Sequence, residues 1–421
     1  MESKVVQPSL IKIILVGLIG NVMEWYDFAV YGFFAVVIGK LFFPVSDPAV
    51  SLIASFGAFA AGFLVRPLGG LVFGRIGDIL GRQKAMLLSV IAMAVPTMLM
   101  GVLPTYQSIG ILAPILIVLL RIIQGLSVGG EFTSSLIYLV EHAPNHRRAF
   151  TAVWGSWGAS AGILLGSGVG LLVNTVLSEE QIGTWGWRIP FLLGGLVAVA
   201  GYYLRHGLHS DTPRTGSQSP IKDLFKNYRG AVLRVALLNL GFGVAFYTIF
   251  IYAVTYIKDV DHLPEGVALR VNTLAMAVIL LVMPVAAWLS DRFGRKHVLV
   301  TGFVLLVVGG IPLFRLIHGT DTDVILLGEL SFAVIVGFIS GGLNAINVEL
   351  MPSMVRCTGL AFAYNASVGL FGGCTPMIVA SLIKYTDNEI APAFWLTGAA
   401  ALSLGTLLFV IRDTRHVALH E

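Results

Sequence analysis

GRIGDILGRQK, residues Gly74–Lys84, is a short polar run set between two long apolar ones. It recurs as LSDRFGRKH at Leu289–His297. Setting Asp78 on Asp291 also sets Gly81 on Gly294 and Arg82 on Arg295, at one offset of 213 (291 − 78). A second pair of loops, VEHAPNHRR from Val140 and VELMPSMVR from Val348, sets Glu141 on Glu349, Pro144 on Pro352 and Arg148 on Arg356 at 208 (349 − 141). Two separate loops recurring at nearly one distance mean two homologous halves. Weak internal symmetry of this kind underlies many transporter folds.

The loops carry their own physics. Gly81 and Gly294 allow a tight turn between helix ends. Asp78 and Asp291 can accept hydrogen bonds from a facing helix N-terminus, where backbone N–H groups lack partners. The basic residues that follow suit a cytoplasmic membrane face.

Composition points the same way. The chain has 421 residues, 56% hydrophobic and 12% charged, with mean hydropathy +0.86. A soluble domain carries about 25% charged residues. The 48 glycines suit close helix packing in lipid. A net charge of +4 does not suggest a nucleic-acid partner. Two cysteines do not make a disulfide framework. The short polar N-terminus leads into an apolar run too long for a signal-peptide core, which is therefore read as retained.

A spanning helix needs about 20 apolar residues. Twelve such runs are read: 10–40, 50–74, 85–104, 108–139, 150–176, 188–206, 231–257, 269–290, 298–317, 324–348, 357–384 and 390–411. The expected fold is an all-α membrane protein with twelve transmembrane helices in two six-helix pseudo-symmetric bundles. The first bundle takes residues 1–206 and the second 231–421. The hydrophilic stretch 207–230, with Pro213 and Pro220, is a cytoplasmic linker. Orientation follows the basic residues. With the N-terminus inside, the outer ends hold only Lys40, Arg188, Lys258, Arg270, Arg315 and Lys384, and Arg66 and Arg121 lie within the membrane. Both termini are then cytoplasmic.

An ionisable group at the bilayer centre costs at least ~2.5–3.5 kcal/mol on insertion scales and marks a functional candidate. Glu24, Asp27, Arg66, Arg121 and Glu131 are such groups, all in the first half. Glu24 and Asp27 share a broad face with Asn21, Phe28 and Tyr31. At ~1.5 Å per residue, Asp27 and Arg121 both lie roughly 25 Å from the inner surface. Asp27, with Glu24, is a candidate proton-coupling site. Arg121, beside Gln124 on its helix, suits a substrate carboxylate; the alternative is a fixed Asp27–Arg121 pair joining helices 1 and 4. Arg66 and Glu131 match in depth and read as an inner-side pair acting in a gate, with substrate contact the lesser reading. Glu329 is placed near a helix end and needs no functional explanation. The second half offers Asn239, Phe242, Phe246, Tyr247 and Phe250 in helix 7, and Tyr364 and Asn365 in helix 11. Aromatic faces of this kind can bind a quaternary ammonium, though packing or lipid contact is their commoner use. Tyr31, Tyr247 and Asn365 join the substrate-binding candidates. Gly158, Gly162, Gly166 and Gly170 read as a close-contact face of helix 5 that slides or packs.

The sequence has no GxxxxGK[ST] loop, no Cys/His cluster with metal spacing and no Ser–His–Asp arrangement. Neither enzyme chemistry nor a cofactor is expected, and the energy source is a gradient. The pattern G-x-x-x-D-x-x-G-R-x-K resembles the signature loop of the major facilitator superfamily, which lies between helices 2 and 3 and again between 8 and 9; Ile79 stands where a basic residue is usual. GNVMEWYDFAVYGFFA, FLVRPLGGLVFGRIGDILGRQK, RIIQGLSVGGEF, WGWRIPF and VELMPSMVRCTGLAFAYN, spread over both halves, resemble the metabolite:proton symporter family. Its members carry proline/betaine, α-ketoglutarate, shikimate and citrate. The resemblance implies a proton-coupled importer of a small carboxylate or zwitterion in a bacterial inner membrane. It also carries the family's buried charges onto Glu24, Asp27, Arg121 and Glu131. The coiled-coil extension of the family's osmosensor has no counterpart here, so osmosensing of that type is not expected. A monomer is expected from the fold. Gating falls to Arg66, Glu131, Asp78, Arg82, Asp291, Arg295, Glu141, Arg148, Glu349 and Arg356. The alternative is a proton-coupled exporter on the same fold.

Overall fold

The computed structural model describes residues 9–44, 48–206 and 219–419, and among these there is no strand. Among the described residues, ten helices are long and apolar enough to cross a membrane. The pair Glu179–Gly186 and Arg188–Tyr203, bent by 48°, makes an eleventh. The remaining apolar run forms Pro48–Leu64 and Arg66–Leu80. That span breaks at Val65 because Pro67 in the next turn has no N–H to donate.

In chain order, span 1 is Leu10–Phe33 followed, after a break at Phe34, by Ala35–Phe42. Span 2 is the broken pair just named. Spans 3 to 6 are Arg82–Val102, Leu112–Glu141, Arg148–Val176 and Arg188–His206. Span 7 is Arg229–Tyr247, a π-helical turn Thr248–Tyr252, then Ala253–Asp259. Spans 8 to 10 are Glu265–Phe293, Arg295–Ile317 and Thr322–Glu349. Span 11 runs Arg356–Tyr364, a π segment Asn365–Gly372, then Gly373–Thr386. Span 12 is Ala391–Phe409. Pro376 cannot donate to the carbonyl four residues back, at Gly372, and the hydrogen-bond ladder slips just before it. Part of the stretch read as a bare linker, 207–218, lies outside the described residues; the rest carries a helix, Pro220–Asn227.

The halves pack by one pattern. Span 1 lies on span 5 and span 7 on span 11; span 2 lies on span 4 and span 8 on span 10. Between the halves, span 2 meets span 11 and span 5 meets span 8, which is the same contact repeated by the pseudo-twofold. The inner turns are also alike. Gly81 has φ 97° and ψ 153°, and Gly294 has φ 103° and ψ 149°. A side chain is strained at such a φ, so glycine is required at both. At the outer face of the second half, His318 bonds Asp261 at 2.9 Å, and the Tyr256 hydroxyl at 3.0 Å. Burial pushes the Asp261 carboxyl above the usual aspartate range, against the opposing pull of His318.

One reading changes here. Glu329 is not a solvated helix-end acid: it is 0% exposed and neither carboxyl oxygen has a hydrogen-bond partner. Its position on the wholly buried stripe of Ile325, Phe332, Ala333 and Val336 is the cause. The glycines of span 5, read as a close-contact face that slides or packs, find their close contact on span 1. Positions 158, 162 and 166 lie against the backbone of span 1, where a Cβ at Gly162 would stand 2.4 Å from the Val22 carbonyl oxygen. They are intra-bundle packing.

Candidate functional site

At the inner face each half docks a carboxylate onto a helix N-terminus of the other. The Asp78 carboxylate accepts the Cys357 N–H at 2.9 Å, the Thr358 N–H at 2.9 Å and the Thr358 hydroxyl at 2.7 Å. Asp291 accepts the Ala149 N–H at 3.0 Å and the Phe150 N–H at 2.8 Å. Those N–H groups open spans 11 and 5, where a helix leaves its first donors unpaired and an anion is favoured.

Two three-residue ion clusters flank these caps. Glu141 meets Arg82 of its own half at 3.2 Å and Arg356 of the other at 2.7 Å. Glu349 meets Arg295 of its own half at 3.2 Å and Arg148 of the other at 3.8 Å. Arg295 also pairs with Asp291 at 3.1 Å. Every predicted gate residue of the four loops therefore sits in one inner layer that ties the halves together. Arg148 and Arg356 each donate further, to the carbonyls of Val417 and Leu419 after span 12. The face that carries these loops is closed in this conformation. Close approach there depends on small residues. A Cβ at Gly74 would stand 2.6 Å from the Thr358 Cα, and one at Gly77 2.9 Å from the Cys357 sulfur.

Deeper in, Asp27 of span 1 and Arg121 of span 4 form a pair at 2.8 Å, both shielded from solvent. Thr97 donates to Asp27 Oδ1 at 3.0 Å, and Gln124 to Oδ2 at 3.1 Å and to Thr97 at 2.8 Å. The Arg121 guanidinium lies 3.7 Å from the centre of the Tyr31 ring. Thr97, on span 3, carries no charge and no motif, and nothing in the sequence singled it out. With both Asp27 oxygens engaged, the group holds spans 1, 3 and 4 together. Arg121→Leu should destabilise the protein by about 3–5 kcal/mol, because it strands a buried carboxylate. Thermal unfolding should show the loss, with most of it recovered in Arg121→Leu/Asp27→Leu. A double variant as unstable as the single one would contradict this.

Arg66 lies where the two halves meet. It is 4% exposed, with its guanidinium carbon 4.0 Å from the Phe63 ring centre, 4.5 Å from Phe28 and 5.8 Å from Trp25. Its Nε and Nη2 have no hydrogen-bond partner. The second half faces it: Tyr247 packs edge-on against the same Phe63 ring, and Gly369 of span 11 approaches the Arg66 Cδ. Glu24 is buried, has an oxygen without a partner, and feels the charges of both Arg66 and Glu131. Glu131 accepts a hydrogen bond from Ser89 of span 3. The Arg66 backbone carbonyl lies against Gly129 of span 4, two residues from Glu131, so the two residues share a depth.

The aromatic residues of the second half face the first half rather than lipid. Phe246 packs edge-on against Trp25 with centroids 6.3 Å apart, Tyr247 against Phe63 at 6.5 Å, and Tyr364 stacks on Phe132 at 4.8 Å. Asn365 spends its side-chain N–H groups on the carbonyls of Gly129, at 2.7 Å, and Ala361, at 2.8 Å. It therefore bridges the halves instead of offering donors to a solute. Trp25 and Phe63 were not among the candidates, although Trp25 adjoins Glu24 and Phe63 stands three residues before Arg66.

Residues 17–375 and 268–420 match the Major Facilitator Superfamily. The glycine betaine/proline/ectoine/pipecolic acid transporter of Dickeya dadantii is 37% identical over 416 residues, spanning 95% of this chain and 83% of that one. The citrate-proton symporter of Klebsiella pneumoniae is 33% identical over 400 residues, spanning 93% and 90%. The shikimate transporter of Escherichia coli (strain K12) is 33% identical over 403 residues, spanning 93% and 92%. Among solved structures, the proton:xylose symporter XylE bound to 6-bromo-6-deoxy-D-glucose superposes with a TM-score of 0.82 at 18% identity, covering 96% of each chain. Repeated halves, paired inner caps and these relatives converge: the chain belongs to the major facilitator superfamily, as a membrane transporter and not an enzyme, alongside the proline/betaine, citrate and shikimate carriers.

Proposed function

We propose that this protein is a proton-coupled importer of a small carboxylate-bearing solute, an organic acid or a zwitterion of the proline/betaine kind. It works as a monomer in a bacterial inner membrane with both termini cytoplasmic. The observation that carries the reading is Arg66. It is a buried guanidinium at the boundary of the halves with two nitrogens unspent among the described residues. A carboxylate is the partner such a fork fits in a bidentate way. Arg121, already engaged with Asp27 and Tyr31, is the weaker candidate. The rings of Trp25 and Phe246 offer apolar faces to the rest of the solute. The relatives named above carry proline, betaines, citrate and shikimate, all small molecules bearing a carboxylate.

Coupling follows from charge. A solute carboxylate at Arg66 arrives beside Glu24 and Glu131, and like charges in a low-dielectric site repel. A proton on Glu24 removes one of them, so solute and proton enter together. Release of both inward reopens the inner caps, and the halves rock about the buried site. Glu24→Gln tests the step. The variant should exchange labelled for unlabelled solute across vesicles at near wild-type rate, yet fail to accumulate it against a gradient. Accumulation that survives the substitution rules Glu24 out as the carrier and returns the role to Asp27.

A further inference from the structure

A cavity of about 610 Å³ opens on the inner side, lined by Arg75, Ser219, Pro220, Ile221, Lys222, Phe225, Lys226 and Arg229. Four of these are cations and none is an acid. The helix Pro220–Asn227 forms one wall and packs against spans 2, 7 and 11, so it touches both halves. Its Pro220 and Leu224 are buried, while Lys222, Phe225 and Lys226 remain exposed. Arg75 belongs to the first half and Arg229 starts the second.

One apolar stripe and one exposed leucine lead into this pocket. On span 2, Leu64, Leu68 and Val72 are 64%, 59% and 53% exposed and lead to Arg75 at i+3. On span 7, Leu233 is 58% exposed and leads back to Arg229 at i−4. Exposed apolar side chains on a spanning helix face acyl chains. A cation ending such a stripe stands at headgroup depth. Phe225, 42% exposed, stacks edge-on against Phe362 at 5.1 Å and adds an interfacial ring.

We propose that this pocket binds the phosphate headgroup of an anionic phospholipid of the inner leaflet. Basic pockets at the cytoplasmic ends of spanning helices recognise such headgroups. The acyl chains lie along the span 2 stripe and against Leu233 while Arg75, Lys222, Lys226 and Arg229 surround the phosphate. Because the ligand joins cations of both halves, it favours the conformation in which they are close. That is the inner-closed conformation, with Asp78 docked on span 11. The lipid is thus a brake on inward opening, independent of which solute is carried.

Cys357 reports the state of that interface. It is buried, and its sulfur lies against Gly77. Cys374→Ser leaves it as the single thiol, since the chain has 2 cysteines. The protein is reconstituted in phosphatidylcholine vesicles with or without phosphatidylglycerol, and the rate of maleimide addition to Cys357 is measured. Phosphatidylglycerol should slow addition about fivefold, a typical coupling between two sites. The slowing should vanish in Arg75→Gln/Lys222→Gln/Lys226→Gln/Arg229→Gln and shrink in Arg75→Gln or Arg229→Gln alone. It should persist in Lys84→Gln/Arg412→Gln, which removes two exposed inner-face cations outside the pocket. Equal rates in the two lipids, or a slowing untouched by the pocket variants, would overturn the proposal. So would the same slowing from inorganic phosphate in phosphatidylcholine alone, which would make the ligand a soluble anion.

Discussion

Arg66→Gln should reduce gradient-driven uptake to background while leaving the protein folded. A buried, hydrogen-bonded charge pair broken on one side loses about 2–5 kcal/mol. At 1.4 kcal/mol per decade this is roughly 30- to 3000-fold in affinity. Stability should hardly fall. The described contacts of the Arg66 guanidinium are rings, and although Glu24 feels its charge the two form no ion pair, so removing the cation relieves a desolvated charge. Arg66→Lys should recover part of the transport, since a lysine keeps the charge but cannot form a two-pronged contact. The outcome against this is a glutamine variant with normal uptake, measured as initial rate against solute concentration. The contrast with Arg121 is informative: its loss should appear first in folding.

The second large effect lies at the inner caps. Asp78→Ala removes three hydrogen bonds to one buried carboxylate and leaves two N–H groups of span 11 without partners. With bonds to charged groups worth about 1.5–3 kcal/mol each, even the loss of one shifts the closed-to-open balance by about 10- to 100-fold. The variant should populate the inner-open form. Cys357 would then react with maleimide at least tenfold faster, and uptake would collapse because the carrier no longer returns outward. Gly74→Leu should do the same by steric means, because its Cβ falls within 2.6 Å of the Thr358 backbone. Cys357 reactivity unchanged in both variants would mean that the caps do not hold the inner side shut.

What the amino acids disclosed, and what they did not, divides along a physical line. Repeated loops place residues by symmetry, so a helix N-terminus facing Asp78 and Asp291 was legible from the offset and the chemistry of helix ends, whereas the choice of spans 11 and 5 was not. The same alignment gave the residues of the Arg82–Glu141–Arg356 and Arg295–Glu349–Arg148 clusters but not their pairing across the halves. Depth along a helix gave the meeting of Asp27 with Arg121, because both helices are regular where they carry these residues. It also set Arg66 level with Glu131, but it could not say that the guanidinium turns toward Phe28 and Phe63. Uncharged partners left no trace: Thr97 and Ser89 matter only because span 3 brings them to Asp27 and Glu131. Rotational setting was also hidden. A count of residues from a helix end could not say that Glu329 faces the interior, nor that the span 5 glycines face span 1. The π segments beginning at Thr248 and Asn365 leave no periodicity of their own, though Pro376 marks one of them.

The measurement that tests the account most directly is uptake by the purified protein in proteoliposomes, with an inward proton gradient imposed, against carboxylates, betaines and amino acids. The account predicts accumulation of one carboxylate-bearing class, collapse of that accumulation with an uncoupler, and its loss in Arg66→Gln. Absence of uptake, together with gradient-driven release of solute from preloaded vesicles, would contradict it and make the protein an exporter.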